Sequence, residues 1–138
     1  MEVLEDTVRV LVVEESAALS ARLVERLAET PGITVIGMVR TVIDAVRRIA
    51  CLHPDLVITD IDMAEGGGFA LVQAIHMLRE LEGSAPAVVL WTGCQDRWRQ
   101  ARAREFGAEV QFDKARDLDL LVDYCRRTAA GRFRDALP

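Results

Sequence analysis

Two aspartates one residue apart, Asp60 and Asp62, follow directly on the apolar run "LVIT", and Gly66, Gly67 and Gly68 come soon after. Three other stretches end in chemically capable residues. "VRVLVV" is followed by the acidic pair Glu14 and Glu15, "AVVLW" by the hydroxyl of Thr92, and "AEVQF" reaches the ammonium of Lys114 two residues later. Carboxylates gathered at one place repel each other and are tolerable only where a cation neutralises them. All-oxygen ligation suits Mg2+, which keeps several waters and leaves room for a phosphoryl oxygen. Lys114 and Thr92 would then offer that phosphoryl group a charge and a hydrogen-bond donor.

Such a gathering needs elements that end together, and the chain supplies them in strict alternation. "VRVLVV" (Val8 to Val13) is a β-branched run that reads as a buried strand. Ser16 can cap a helix with Leu19, Leu23 and Leu27 on one face, closed by Thr30 to Gly32. "ITVIGMV" is a second strand, and Thr41 can cap a helix that turns Val42, Val46 and Ile49 inward and stops before Pro54. "DLVIT" is the third strand, followed by a helix from about Phe69 to Leu81 that buries Leu71, Ile75 and Leu78. "AVVLW" is a fourth strand, Asp96 to Phe106 a basic helix and "AEVQF" a fifth strand. The last helix, from about Asp117, places Leu118, Leu121, Val122 and Cys125 at i, i+3, i+4 and i+7. Five βα units of this kind predict an α/β fold, a parallel sheet with helices on both faces. In an open sheet of that type, sites form beyond the carboxyl ends of the strands, where Glu14, Glu15, Asp60, Asp62, Thr92 and Lys114 all fall.

Composition narrows the function classes. A chain of 138 residues, half of them hydrophobic and 28% charged, reads as a single globular domain over 1–138, with its core at about 8–129. A net charge of -5 gives no support to direct nucleic-acid binding. No apolar run is long enough to span a bilayer, and "MEVLEDTV" lacks the basic-then-apolar pattern of a secretion signal. Cys51, Cys94 and Cys125 are scattered without metal-ligand spacing, which fits reduced thiols in a cytoplasmic setting. His53 precedes Pro54 at an expected turn and His76 sits in a helical stretch; neither reads as catalytic.

With these residues in place, the sequence resembles the receiver domain of two-component response regulators across essentially its whole length. The landmarks are the acidic pair in "VVEES", the acceptor in "VITDIDMAEGG", the hydroxyl in "VLWTG" and the lysine in "QFDKA". The resemblance implies a flavodoxin-like (βα)5 sheet of strand order 2-1-3-4-5. It implies that Asp60 accepts a phosphoryl group from the phosphohistidine of a sensor histidine kinase or phosphotransfer protein. Glu14, Glu15, Asp60 and the main-chain carbonyl of Asp62 would hold Mg2+, Thr92 would bind a phosphoryl oxygen, and Lys114 would pair with the acceptor. A downstream protein partner would dock on the face of the fourth helix, fifth strand and fifth helix, and a homodimer is compatible with the pattern. The domain would be a self-phosphorylating acceptor, not a turnover enzyme, and no output domain is expected after "RTAAGRFRDALP".

The sequence also departs from the family pattern. The metal pair usually contains an aspartate, and here both members are glutamate. The prolines usual after the acceptor and after the lysine are Ala64 and Ala115. The aromatic residue usual three before the lysine is Gln111, and the adjacent Phe112 points to the opposite face of the strand. The fold should survive these changes while the phosphorylation switch weakens.

Plainer roles stand beside the chemical ones. Gly66 to Gly68 match no nucleotide loop and read as a mobile turn, and Cys94 reads as an inert thiol near the site. Arg97, Arg99, Arg102 and Arg104 read as a solvated or protein-docking face beside Asp119 and Asp123. Three function classes follow: a phosphorylatable receiver, a phosphorylation-independent pseudo-receiver acting as an interaction module, and a haloacid-dehalogenase-like phosphohydrolase. The last rests on "DIDMA" alone, and its motif usually ends the first strand, not the third.

Overall fold

The structure, a computed structural model, describes residues 7–63, 67–94 and 96–135. The elements are β1 (Val8–Val13), α1 (Ala17–Ala28), β2 (Ile33–Val39), α2 (Val42–Leu52), β3 (Leu56–Thr59), α3 (Gly67–Glu82), β4 (Ala87–Thr92), α4 (Arg97–Glu105), β5 (Ala108–Asp113) and α5 (Leu118–Asp135). Every strand pair is parallel, in the order β2-β1-β3-β4-β5.

The apolar runs make this sheet because alternate residues are needed on both faces. Leu11, Val13, Val57 and Leu90 pack beneath Ala45, Ile49, Leu71, Ile75 and Ala103 of α2, α3 and α4. Their neighbours Val10, Val12, Ile58, Trp91 and Phe112 pack against Leu23, Leu27, Leu121 and Cys125 of α1 and α5. Each fully buried aliphatic side chain in these layers contributes about 1.5–3 kcal/mol. The caps expected from sequence form: Ser16 Oγ accepts from Leu19 N–H at 3.2 Å, and Thr41 Oγ1 from Asp44 N–H at 3.1 Å. α2 closes at His53, which takes the left-handed conformation (φ 49°).

Register sets the site. Val13 lies opposite Thr59, Thr59 opposite Leu90, and Thr92 opposite Asp113. The next residues on the central strands, Glu14 and Asp60, therefore leave the sheet side by side.

Three expectations need correction. Val46 is 45% exposed, and Ala45 is fully buried in its place. The inward stripe of α2 runs through Val42, Ala45 and Ile49, the i, i+3, i+7 positions. Gly67 and Gly68 are no mobile turn: both are buried, and they begin α3 two residues before Phe69. Gly66 and Ala64 lie outside the described residues. The arginines of α4 do not form one free patch. Arg99 pairs with Asp62, and Arg102 stacks over the rings of Phe69, Trp98 and Phe106. Asp119 pairs with Arg26, and Asp123 with Arg126 and Arg127, so neither is held against α4.

Candidate functional site

Glu14, Asp60 and Thr92 stand at the carboxyl ends of β1, β3 and β4 and are 1%, 4% and 1% exposed. Three polar side chains buried at one edge of an apolar sheet are costly unless they find partners. Lys114, one residue beyond β5, reaches in and supplies the charge. Its Nζ lies 2.6 Å from Asp60 Oδ2 and 2.7 Å from Glu14 Oε1. Its main-chain N–H donates to the Thr92 carbonyl at 3.2 Å, which fixes the root of the side chain to the end of β4.

The other oxygens are held by main chain. Asp62 N–H donates to Asp60 Oδ1 at 3.0 Å, and Ser16 N–H donates to Glu14 Oε2 at 2.9 Å. Cys94 N–H donates to Thr92 Oγ1 at 3.0 Å, which fixes the hydroxyl at the rim. Burial works against the Lys114 ammonium, but its bonds to Asp60 and Glu14 outweigh it, and the group is held above its ordinary range. One cation therefore serves two buried carboxylates, and the inner site keeps a formal charge of about -1.

The donors present suit a hard cation. Both carboxylates are oxygen ligands, and Glu14 Oε1 meets the Lys114 ammonium as an ion pair at 2.7 Å. Among the described residues, however, no three His, Cys, Asp or Glu side chains are grouped closely enough to hold a metal by themselves. Mg2+ needs only one or two carboxylates with waters and a carbonyl, so the pair fits that ion better than a full protein cage.

Of the residues expected from sequence, Asp60, Glu14 and Lys114 are brought into contact, and Thr92 is set at the same rim. Glu15 follows Glu14 at the end of β1, with its carbonyl accepting from Arg40 Nε at 3.0 Å. The side chain of Asp62 turns outward to Arg99, 2.6 Å away, leaving its main chain to face the site. Two residues escaped the sequence reading. Arg99 crosses to the acceptor segment from 37 positions away, a contact that no helical spacing announces. Gly68 packs on the Asp60 carbonyl, and its only sequence signal was the run of three glycines.

Comparison with known proteins places these observations. Residues 10–126 match the family described as the response regulator receiver domain. A protein-glutamate methylesterase/protein-glutamine glutaminase of Geobacter sulfurreducens is 31% identical over 101 residues, 73% of this chain and 26% of that protein. The chain thus spans about a quarter of the length of such relatives. The signal receiver domain of a signal transduction histidine kinase from Syntrophus aciditrophicus superposes with a TM-score of 0.74 at 29% identity, covering 89% of this chain and 90% of that one. The response regulator domain of Thermotoga maritima CheB gives 0.75 at 19% identity, over 96% and 99%, a likeness of fold.

Proposed function

Since the chain belongs to the response regulator receiver domain family of two-component signalling, we propose that Asp60 is its phosphoryl acceptor. The observation that supports this most is Lys114 Nζ set between Asp60 and Glu14, with both carboxylates at most 4% exposed. A carboxylate attacks phosphorus usefully when the charge that develops on the phosphoryl oxygens is met by fixed cations and donors. An Asp60 oxygen forms the new O–P bond, the P–N bond of a phosphohistidine breaks, and the imidazole leaves with its electron pair. The donor is a sensor histidine kinase or a phosphotransfer protein. Lys114 compensates the acceptor, and Thr92 donates to a phosphoryl oxygen. Mg2+, held by Glu14, Glu15, Asp60 and the Asp62 carbonyl, supplies further charge neutralisation when bound. The buried Glu14 and Asp60 exclude bulk water and orient the acceptor by their main-chain donors.

On this reading the chain is an acceptor, not a turnover enzyme, it works in the cytoplasm, and it signals through the α4–β5–α5 face to a protein partner. The methylesterase and glutaminase activities belong to relatives of which the chain spans about a quarter. A second reading, a pseudo-receiver that binds partners without phosphorylation, is favoured by Gln111, whose Oε1 is buried with no hydrogen-bond partner among the described residues, where an aromatic ring is usual. Incubation with a small acyl-phosphate donor and Mg2+, read by intact mass, separates the two. One phosphoryl adduct in the parent and none in Asp60→Asn is the expected result, and an unlabelled parent would favour the pseudo-receiver.

A further inference from the structure

The acceptor's two oxygens are held from two directions. Lys114 takes Oδ2, and the N–H of Asp62 takes Oδ1 at 3.0 Å. The first is a long side chain anchored by its main chain to β4. The second is a loop peptide, and something must fix it. Arg99, in the first turn of α4, places Nη1 2.6 Å from Asp62 Oδ1 and Nη2 3.5 Å from the carbonyl of Ile61. The guanidinium therefore grips the carbonyl of the very peptide whose N–H donates to Asp60, and the Asp62 side chain just beyond it. α4 is itself fixed, because Asp96 caps it by accepting from Trp98 N–H and Arg99 N–H at 2.9 and 3.3 Å.

Charge gives Arg99 a second effect. With Asp62 paired, its carboxylate is neutralised, and among the described residues the carboxylates paired with Lys114 are those of Glu14 and Asp60. Without Arg99, a free carboxylate would stand two residues from the acceptor and add a negative charge at the mouth of the site. The ion pair is 38% and 53% exposed at its two side chains, so it adds little to stability. Its consequence lies in where it holds the Asp62 peptide and what charge it cancels.

We propose that Arg99 is a positioning residue of the phosphoryl site, acting through Asp62: it orients the peptide that holds Asp60 and keeps the Asp62 carboxylate out of the metal-binding field. The proposal rests on the acceptor role of Asp60 for its kinetic part only. Its second part concerns Mg2+ affinity, which calorimetric titration reads with no phosphodonor present.

The two parts predict opposite signs. In Arg99→Ala, Mg2+ should bind about two- to threefold tighter at low salt, because one more carboxylate is left free. At saturating Mg2+ and donor, labelling of Asp60 should slow by roughly tenfold, because the acceptor has lost its fixed orientation. Arg99→Lys should return Mg2+ affinity to the parent value and restore the labelling rate only in part, since an ammonium cannot grip both sites. Arg99→Ala/Asp62→Asn, which removes both charges of the pair, should match the parent in Mg2+ affinity. A general loosening of the fold would weaken metal binding and labelling together. That result, or no change in either, overturns the proposal. If the parent is never labelled, the acceptor reading fails, and the sign of the Mg2+ shift in Arg99→Ala still decides whether Arg99 governs the Asp62 charge.

Discussion

Gly68, in the first turn of α3, lies against the main-chain carbonyl of Asp60 so closely that a Cβ at position 68 would overlap that oxygen. The obstacle is main chain, which cannot rotate aside as a flexible side chain would. The acceptor peptide and the start of α3 therefore share one space, and only glycine lets both occupy it.

Substitution at Gly68 should accordingly reach both fold and site. Gly68→Ala is expected to cost about 1–3 kcal/mol by urea unfolding, as the helix start is pushed off the β3 end. Gly93, with no atom of the other described residues within 4 Å of its would-be Cβ, is the control. Gly93→Ala should stay within roughly 0.5 kcal/mol of the parent. Equal effects at the two positions would show that the close approach at Gly68 relaxes freely.

The inner site trades stability for its charge. One ammonium faces two buried carboxylates, so removing a carboxylate charge should help the fold even as it removes the acceptor. Asp60→Asn keeps an oxygen for the Asp62 N–H and should raise unfolding free energy by about 1 kcal/mol near neutral pH. Lys114→Gln should act the other way, by about 3 kcal/mol, because both carboxylates lose their cation. Equal stability of Asp60→Asn and parent would mean that solvent already compensates the pair.

Alkaline pH should unfold the protein early, and three groups set the direction. Burial pushes the Cys125 thiol from 9.0 up to about 12. Burial, then the hydrogen bond to Glu109, carries the Tyr124 phenol from 10.0 up to about 12. Lys114 is also raised above its ordinary 10.5. In each case the folded value exceeds the unfolded one, so the folded chain keeps its proton longer. The stability linked to these groups is whole below the unfolded values and is lost as pH climbs through the folded ones. The decline should begin near the unfolded Cys125 value of 9.0, the lowest of the three. Cys125→Ala should delay that onset to the range of Tyr124 and Lys114, although it leaves a small cavity. Urea midpoints measured from neutral to alkaline pH would show it, and an unchanged onset in Cys125→Ala would assign the decline elsewhere.

Much of this was legible in the sequence, for a physical reason. A strand buried on both faces must be a continuous apolar run, so β1 was bounded by composition alone; the edge strand β2, mostly half-buried, still matched its apolar run, and Ser16 and Thr41 announced their helices by their chemistry. Asp60, Glu14 and Lys114 were legible because strand ends in a parallel sheet share one edge. The hidden residues act through space. Val46 looked as inward as Ile49, and only the packing of α2 showed that Ala45 takes the buried position. Arg99 was one of four arginines in a short helix, and its partner lies across a loop. Gly68 could be explained only once the carbonyl of Asp60 was placed beside it.

Gln111 carries the last prediction. It pairs with Leu90 on β4, while Phe112 packs with Trp91 and Leu121 on the α1/α5 face, so strand alternation sends Gln111 to the other side. Its Oε1 is buried without a hydrogen-bond partner among the described residues, a cost an apolar side chain would not bear. Gln111→Leu should therefore stabilise the fold by about 1 kcal/mol. An amide at this position also offers little apolar area to reward one rim conformation over another. Phosphorylation should then shift the populations of α4 only slightly in the parent. A tyrosine ring would add apolar area that counts only when it turns inward, so Gln111→Tyr should strengthen the response. Hydrogen exchange of α4 amides, with and without phosphodonor, reads both proteins directly. A small change in the parent and a larger one in Gln111→Tyr is the expected pair. A large change in the parent that disappears in Arg99→Ala would instead assign the coupling to the Arg99–Asp62 contact, which joins α4 to the acceptor segment without using β5 at all.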